Sequence, residues 1–442
     1  MTTRRRHETS PQYKDHKTRR KPFMPLLGCI ADDFTGGTDL ANNLVKSGFR
    51  TVQTLGIPHE TKAAMGSDAV VVALKTRTCP PEQAVRESLQ ALGWLRSLGC
   101  KQFYFKYCST FDSTHRGNIG PVIDALLAAL GCDFTVACPA FPDNGRTVYR
   151  GHLFVHDVLL SESGMQNHPL TPMTDPNLVR FLSTQTSAKV GLIRFDSVSQ
   201  GSKAVVQEIQ KLRQDGVRIA ITDCLGNTDL VVLGSALKEL TLVTGGSGLA
   251  LGLAANFGLS HPAPVSVPAF SGNRAILAGS CSKMTLSQIE RAKPASSHRQ
   301  ISVRKLAEDS EAVVRDIRSW ATEMLSKPKP LLIYTSETVE QLTKDQNELG
   351  IERTGSLCEH ALAEIASSLV NNGVTQLIVA GGETSGAVVK RLGLDLLEIG
   401  PEIDPGVPWT LATGSGKQLA LALKSGNFGA EDFLTKAWEQ LS

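Results

Sequence analysis

A short apolar run, residues 26–31, breaks abruptly into two adjacent carboxylates, Asp32 and Asp33. Thr35, Gly36, Gly37, Thr38 and Asp39 follow before Leu40, Ala41, Leu44 and Val45 resume a helical spacing. This order predicts a buried strand, a polar turn and a helix N-terminus. In an open α/β sheet, ligands bind in the crevice outside the carboxyl ends of the strands, so the acidic turn is a candidate binding site. The plainer alternative is that Asp32 or Thr35 only caps the helix. Two consecutive Asp followed by Thr-Gly-Gly-Thr-Asp are more than one cap requires.

The pattern continues along the chain. Strands are expected at 49–55, 69–74, 102–107 and 134–138, with helices at 80–98 and 120–130 between them. The continuously apolar 69–74 suits the centre of a parallel sheet, and Pro80, Pro81 and Glu82 are helix start signals. Strands alternating with helices of this length indicate a doubly wound, mostly parallel α/β domain. A hairpin is expected over 149–158, then a long loop over 161–176, then further β/α units at 190–195, 202–213, 217–222 and 240–243. The stretch 259–273 holds Pro262, Pro264 and Pro268 without periodicity and reads as a linker. With 442 residues, two domains are expected, 25–258 and 274–442. The second is also α/β, with strands at 274–277, 331–334, 376–380 and 420–424 and helices at 286–292, 303–325 and 355–370.

The formal charge of +3 is unevenly distributed. Residues 1–22 hold eight basic and two acidic residues, a balance of +6, which leaves −3 for the rest. The body is therefore mildly acidic, and the basic balance is no sign of a nucleic-acid partner. The tail, residues 1–24, lacks the apolar core of a secretory signal and the aliphatics of an amphipathic targeting helix; it is expected to be disordered, with Met24 a candidate start. No apolar run approaches the roughly 20 residues that a bilayer needs, so no membrane association is expected. Nine scattered cysteines without a C-x-x-C pair indicate reduced thiols in a cytoplasmic setting and argue against zinc.

A second polar turn, 109–118, offers Asp112, Ser113, Thr114, Arg116 and Asn118 on the same strand-end side as Asp32 and Asp33. Arg116 is a natural carboxylate binder, because its planar fork matches two acceptor oxygens. A tight turn at Asn144-Gly145 is flanked by Arg146 and Arg150, and His168 stands among Gln166, Asn167 and Thr171. In the second half three Gly-containing turns can cradle phosphate with backbone N–H groups at helix N-termini: 279–282 with Ser280 and Ser282, 381–386 (Gly381, Gly382, Glu383, Thr384, Ser385, Gly386), and 425–429 with Gly426 and Asn427. Two lookalikes are set aside as structural turns. Residues 412–418 mimic a phosphate loop, but Leu411 stands where the first Gly belongs and Gln418 replaces the Ser/Thr; 246–248 lacks the third Gly of a dinucleotide fingerprint.

The string IADDFTGGTDLANNL resembles the opening ADDFTGA signature of the four-carbon acid sugar kinases, with Gly37 in place of the usual Ala, and STFDSTHRGN resembles the family's DSTxRGN signature. The resemblance runs from Leu26 to the C-terminus. It implies a sugar-acid-binding N-terminal domain and a C-terminal domain that binds ATP with Mg²⁺ at the three glycine turns; it names no magnesium ligand and admits a homo-oligomer. On this reading Asp32 or Asp33 is the catalytic base near the terminal hydroxyl. Thr35, Asp112, Ser113, Thr114, Arg116, Asn118, Arg146 and His168 contact the substrate, with Arg116 and Arg146 on its carboxylate. The segment ESGMQNHPLTPMTDPNLVR resembles the branch that phosphorylates the 4-hydroxyl of 3-oxo-tetronate. D-threonate or D-erythronate kinases, and a non-catalytic nucleotide- or acid-binding regulator, are the alternatives.

Overall fold

The computed structural model describes residues 24–58, 64, 66–167, 171–259 and 267–441. The expected tail except Met24, half of the expected linker, and His168 lie outside the described residues. The N-terminal half supplies strands β1 (Leu27–Ala31), β2 (Thr51–Leu55), β3 (Ala69–Ala73), β4 (Gln102–Lys106), β5 (Thr135–Cys138), β6 (Arg146–Tyr149), β7 (His152–Val155), β8 (Val158–Leu159), β9 (Val190–Ile193), β10 (Ile219–Thr222) and β11 (Leu242–Gly245). The C-terminal half supplies β12 (Asn273–Ala278), β13 (Ser297–Gln300), β14 (Leu331–Tyr334), β15 (Val374–Ala380), β16 (Leu396–Asp404), β17 (Val407–Gly414) and β18 (Lys417–Lys424).

The N-terminal strands pair in parallel in the order β2-β3-β1-β4-β11-β5-β10-β9, and β1, β3 and β4 are buried along their whole length. Strands covered on both faces read as unbroken apolar runs, which is why 69–74 stands out in the sequence. In the C-terminal half β13-β14-β12-β15-β18 are parallel, and β18-β17-β16 form an antiparallel meander. Alternate residues of β12 face opposite layers: Ala275 and Leu277 pack with the helices Val303–Met324 and Ile351–Asn371, Ile276 and Ala278 with Ile289, Trp409 and Phe433. This domain too is wound on both faces.

The main departure from the sequence reading is that the two sheets are one. β16 pairs antiparallel with β2, Leu396 opposite Thr54 and Glu398 opposite Val52, making a 15-stranded sheet across both halves. Smaller departures have local causes. The expected hairpin over 149–158 is a separate three-stranded sheet, β6-β7-β8, whose first turn is Arg150-Gly151 at φ 52° and 74°. Both central residues at positive φ match the twist of the flanking strands. The helix Val339–Leu349, capped by Thr338, was hidden by its many polar residues. The mimic of a phosphate loop is the β17–β18 hairpin, with Ser415 and Gly416 at φ 48° and 73°.

Polar contacts reinforce the seam. Glu402 on β16 accepts from Asn42 Nδ2 at 2.6 Å, Lys46 Nζ at 3.0 Å and its own turn's Gly406 N at 3.0 Å. Lys75, just beyond β3, pairs with Glu383 at 2.7 Å and Glu359 at 3.2 Å in the other half. Removing the three-way acceptor leaves the Asn42 amide without its acceptor. We expect Glu402→Ala to cost about 1–2 kcal/mol in urea denaturation; a change within about 0.5 kcal/mol, the ordinary range of surface substitutions, would refute a holding role.

Candidate functional site

Strand order selects the place. β1 has β3 on one side and β4 on the other, so the chain reverses its direction of winding there, and the crevice opens at the carboxyl end of β1. Asp32 and Asp33 stand at that end. In the second half β12 lies between β14 and β15, and the turn Gly279–Ser282 leaves from its carboxyl end. Each half thus presents a switch point.

Asp33 is the N-cap of the helix Phe34–Ser47: Oδ1 accepts from Gly36 N at 3.2 Å and Oδ2 from Thr35 Oγ1 at 2.8 Å. It is more than a cap. Arg77 places Nε 2.9 Å and Nη2 2.8 Å from the two oxygens of Asp32, and the same Nη2 lies 2.6 Å from Asp33 Oδ1. Lys106, the last residue of β4, approaches Asp33 Oδ1 to 3.8 Å. Burial lifts both carboxyls. For Asp32 burial prevails over Arg77 and the group lies above its ordinary value; for Asp33, Arg77, Lys106 and the bonds from Thr35 and Gly36 outweigh it and hold the group at about 2. Asp33 is therefore ionised throughout the neutral range.

Gly36 explains how Lys106 gets so close. A Cβ there would collide with Lys106 Nζ and Asp33 Oδ1. At Gly37, a methyl group would stand 2.9 Å from Ala73 Cβ and 3.0 Å from Gln53 Nε2, a smaller conflict.

The other expected substrate residues divide. Arg146 is buried on β6 with its Nε unpartnered among the described residues; burial pulls its guanidinium below the ordinary value, while Cys108, Asp112 and Asp39 push it back up. Asp112 accepts from Thr110 Oγ1 at 2.6 Å. Ser113 and Thr114 are tied by Gln185 Nε2, at 2.9 Å to the hydroxyl and 2.6 Å to the carbonyl oxygen. Asn118 gives its amide to the carbonyls of Thr76, Arg77 and Cys79 at 2.6, 3.2 and 2.9 Å, so its contact is with the loop that carries Arg77. Arg116 is exposed and makes no ion pair among the described residues. Arg77, Lys106, Asp39 and Ser247 are not among the expected site residues; Arg77 and Lys106 are each alone in their stretch of sequence and gain meaning only from the sheet order.

In the second half the three glycine turns converge. A Cβ on Gly279 would strike Thr384 Oγ1, and one on Gly426 would strike Ser280 Oγ. Ser282 caps the helix Lys283–Ala292 and donates to Gly426 O at 2.6 Å. Beneath them Lys424, fully buried, points Nζ at the carbonyls of Ser425, Gly426 and Phe428 at 2.9, 2.9 and 3.2 Å, and burial pushes its ammonium down to about 7. Ser385 is buried with its hydroxyl unpartnered among the described residues; Asn427 is exposed. The helix Gly382–Leu392 directs its N-terminus out of this cluster, the end at which anionic oxygens bind. The two sites meet there. A Cβ on Gly382 would stand 3.8 Å from Thr35 Oγ1 and 3.9 Å from Asp33 Oδ2.

Among the described residues no helix is long and apolar enough to cross a membrane, and no group of three or more His, Cys, Asp or Glu is arranged to hold a metal ion.

The sequence model of a sugar-binding N-terminal domain matches residues 27–253, and that of a nucleotide-binding C-terminal domain matches residues 275–434. The chain is 56% identical over 427 residues to a 3-oxo-tetronate kinase of Pseudomonas fluorescens, covering 95% of this chain and 97% of that one. It is 56% identical over 422 residues to a 3-oxo-tetronate kinase of Burkholderia multivorans, covering 94% and 97%. The crystal structure of a Haemophilus influenzae protein superimposes with a TM-score of 0.74 at 43% identity, covering 94% of this chain and all of that one. With both domains matched in order and relatives alike over nearly their whole length, this chain belongs to the four-carbon acid sugar kinases, enzymes that take ATP as a substrate.

Proposed function

We propose that the chain is an ATP-dependent 3-oxo-tetronate kinase that transfers a phosphoryl group to the 4-hydroxyl of the acid, and that it works in the cytoplasm. The observation that supports this most directly is the approach of Asp33 Oδ2 to Gly382, which puts a carboxylate of the first domain at the phosphate end of the second. Residues 25–258 hold the acid and residues 274–442 hold the nucleotide. Two buried cations, Lys106 and Arg146, offer charge to the substrate carboxylate, a match that an alcohol without an acid group would not need. Asp33 Oδ1 takes both Arg77 and Gly36 N, whereas Oδ2 takes only Thr35 Oγ1, so Oδ2 is the oxygen with acceptor capacity left to orient the 4-hydroxyl. Asp32 holds Arg77 and through it the orientation of Asp33.

The glycine turns and the N-terminus of the helix Gly382–Leu392 fit a triphosphate: Gly279 and Gly426 let the turns close on one another where a Cβ would strike Thr384 or Ser280, and the amides of the helix's first turn are left for anionic oxygens. ATP arrives as its Mg²⁺ complex, in which the cation offsets charge on the phosphates. Positioning two reactants contributes roughly 7–11 kcal/mol, whereas a general base adds about 10²–10⁴-fold in rate. The arrangement of the two switch points is thus the larger part of catalysis, and Asp33 the smaller.

ADP release from Mg-ATP with a panel of 3-oxo-tetronate, D-threonate and D-erythronate tests the substrate. We expect turnover with the first to exceed the others by at least about tenfold in kcat/KM; preference for either of the others rejects the assignment. Asp33→Asn is expected to lower kcat about 10²–10⁴-fold while leaving residual turnover, and an unchanged kcat would rule out its role.

Gly36→Ala gives a separate check on Lys106. The new methyl would meet Lys106 Nζ, the far end of a long side chain, and Asp33 Oδ1, the end of a short one held by Arg77, so the fold should survive with a lowered thermal midpoint. Displaced Lys106 and Asp33 should nonetheless cost at least about tenfold in kcat/KM. Equal activity would show that neither needs its present place.

A further inference from the structure

The helix Phe34–Ser47 carries another buried carboxyl that this mechanism leaves unused. Asp39 is 3% exposed; Oδ2 accepts from Ser247 Oγ, and Oδ1 has no hydrogen-bond partner among the described residues. The turn between β16 and β17 lies over it, where a Cβ on Gly406 would stand 2.6 Å from Oδ1. A buried carboxylate with an unpaired oxygen is costly unless a cation offsets it. Four charged groups face it: Lys106 from the end of β4, Arg146 from β6, Asp33 from the same helix and Glu402 from β16. Burial lifts the carboxyl to about 7; Lys106 and Ser247 pull it down, Asp33 and Glu402 push it up.

Lys106 is in the complementary position. It is 3% exposed, makes no hydrogen bond among the described residues, and lies over the side of the helix that Gly36 leaves bare, with Asp33 Oδ1 3.8 Å away. Its ammonium pairs with the N-cap carboxylate of Asp33 and lies over Gly36, which stands one turn before Asp39 on the same side of the helix; among the described residues it makes no ion pair with Asp39 itself. We infer that Asp39 is a positioning residue that acts through Lys106: its carboxylate counters the pull of Asp33 and keeps the ammonium over Gly36, facing the acid. The inference rests on the kinase reading for its consequence in turnover, though not for the pairing itself.

A double-mutant cycle separates this from a merely structural role. Asp39→Asn keeps the size and the acceptor for Ser247 but removes the charge. With 3-oxo-tetronate and Mg-ATP we expect it to lower kcat about tenfold in the natural background and by less than about twofold when Lys106→Met is already present. Ionised Asp39 is the active form, so turnover should fall as pH drops through about 7, and Asp39→Asn should lack that limb. The Asp39–Lys106 coupling should persist in Ser247→Ala. Equal effects of Asp39→Asn in both backgrounds, an unchanged pH limb, or coupling that vanishes with Ser247→Ala would each overturn the inference.

If the natural protein releases no ADP with any acid of the panel, the kinase reading fails by itself. Urea denaturation of the same four proteins then decides the pairing: a non-additive cycle supports it and an additive one overturns it. Should Lys106→Met not fold, Lys106→Gln replaces it, and the pH limb needs only Asp39→Asn.

Discussion

One guanidinium underlies the N-terminal site. Two adjacent carboxylates at the end of a buried strand repel each other and lose hydration, and without a cation one would be protonated. Arg77 lies against both, bidentate on Asp32 and reaching Asp33 with the same nitrogen. Its loop is fixed in turn: the Asn118 amide holds three carbonyl groups there, those of Thr76, Arg77 and Cys79, and the backbone N–H groups of Thr76 and Arg77 bond to Asp32 O at 2.9 and 3.2 Å. The ends of β1 and β3 and the start of the helix Ile119–Leu130 are thus bound into one charged floor. Removing one member of a buried ionic group exposes the others to the full desolvation cost, so these residues stand or fall together.

That floor is also fixed relative to the nucleotide half. The β2–β16 pairing, the Glu402 contacts and the Lys75–Glu383 pair all lie on the first-half elements that surround Asp33. A continuous sheet makes their relative position a property of backbone register, which slips only by turning every side chain to the other face. Free rotation of the halves about a linker would have to break the β2–β16 pairing.

Much of this was legible in the sequence, and the limit has a physical form. Alternating apolar strands and helices disclosed the doubly wound architecture because parallel strands are buried on both faces. Asp32 and Asp33 stood out because two charges directly after a buried strand are locally anomalous, and the glycine turns because they follow apolar strands. Arg77 and Lys106 carry no local anomaly: an Arg after a strand and a Lys at a strand end are ordinary, and only the order β3-β1-β4 brings them to one point; Asp39 closes the acidic turn, but nothing local says that it is buried. That the Asn118 amide donates to the Arg77 loop was not legible, because a polar turn does not reveal whether its amide faces solvent or a neighbouring loop. The single sheet was hidden for the same reason, since strand pairing between residues 54 and 396 leaves no trace in either segment.

The charge state of Asp33 bears on what kind of catalyst this is. A carboxylate held at about 2 is a poor acceptor for an alcohol proton, so early proton abstraction would run strongly uphill. In a loose phosphoryl-transfer transition state the attacking hydroxyl keeps its proton until bond formation to phosphorus is well advanced, and what it needs first is alignment. An ionised oxygen fixed by Arg77, Thr35 and Gly36 is suited to that, because it accepts the hydroxyl's hydrogen bond without moving. In the role proposed for Asp33, the cations that depress its pKa would favour alignment over basicity and a late proton transfer.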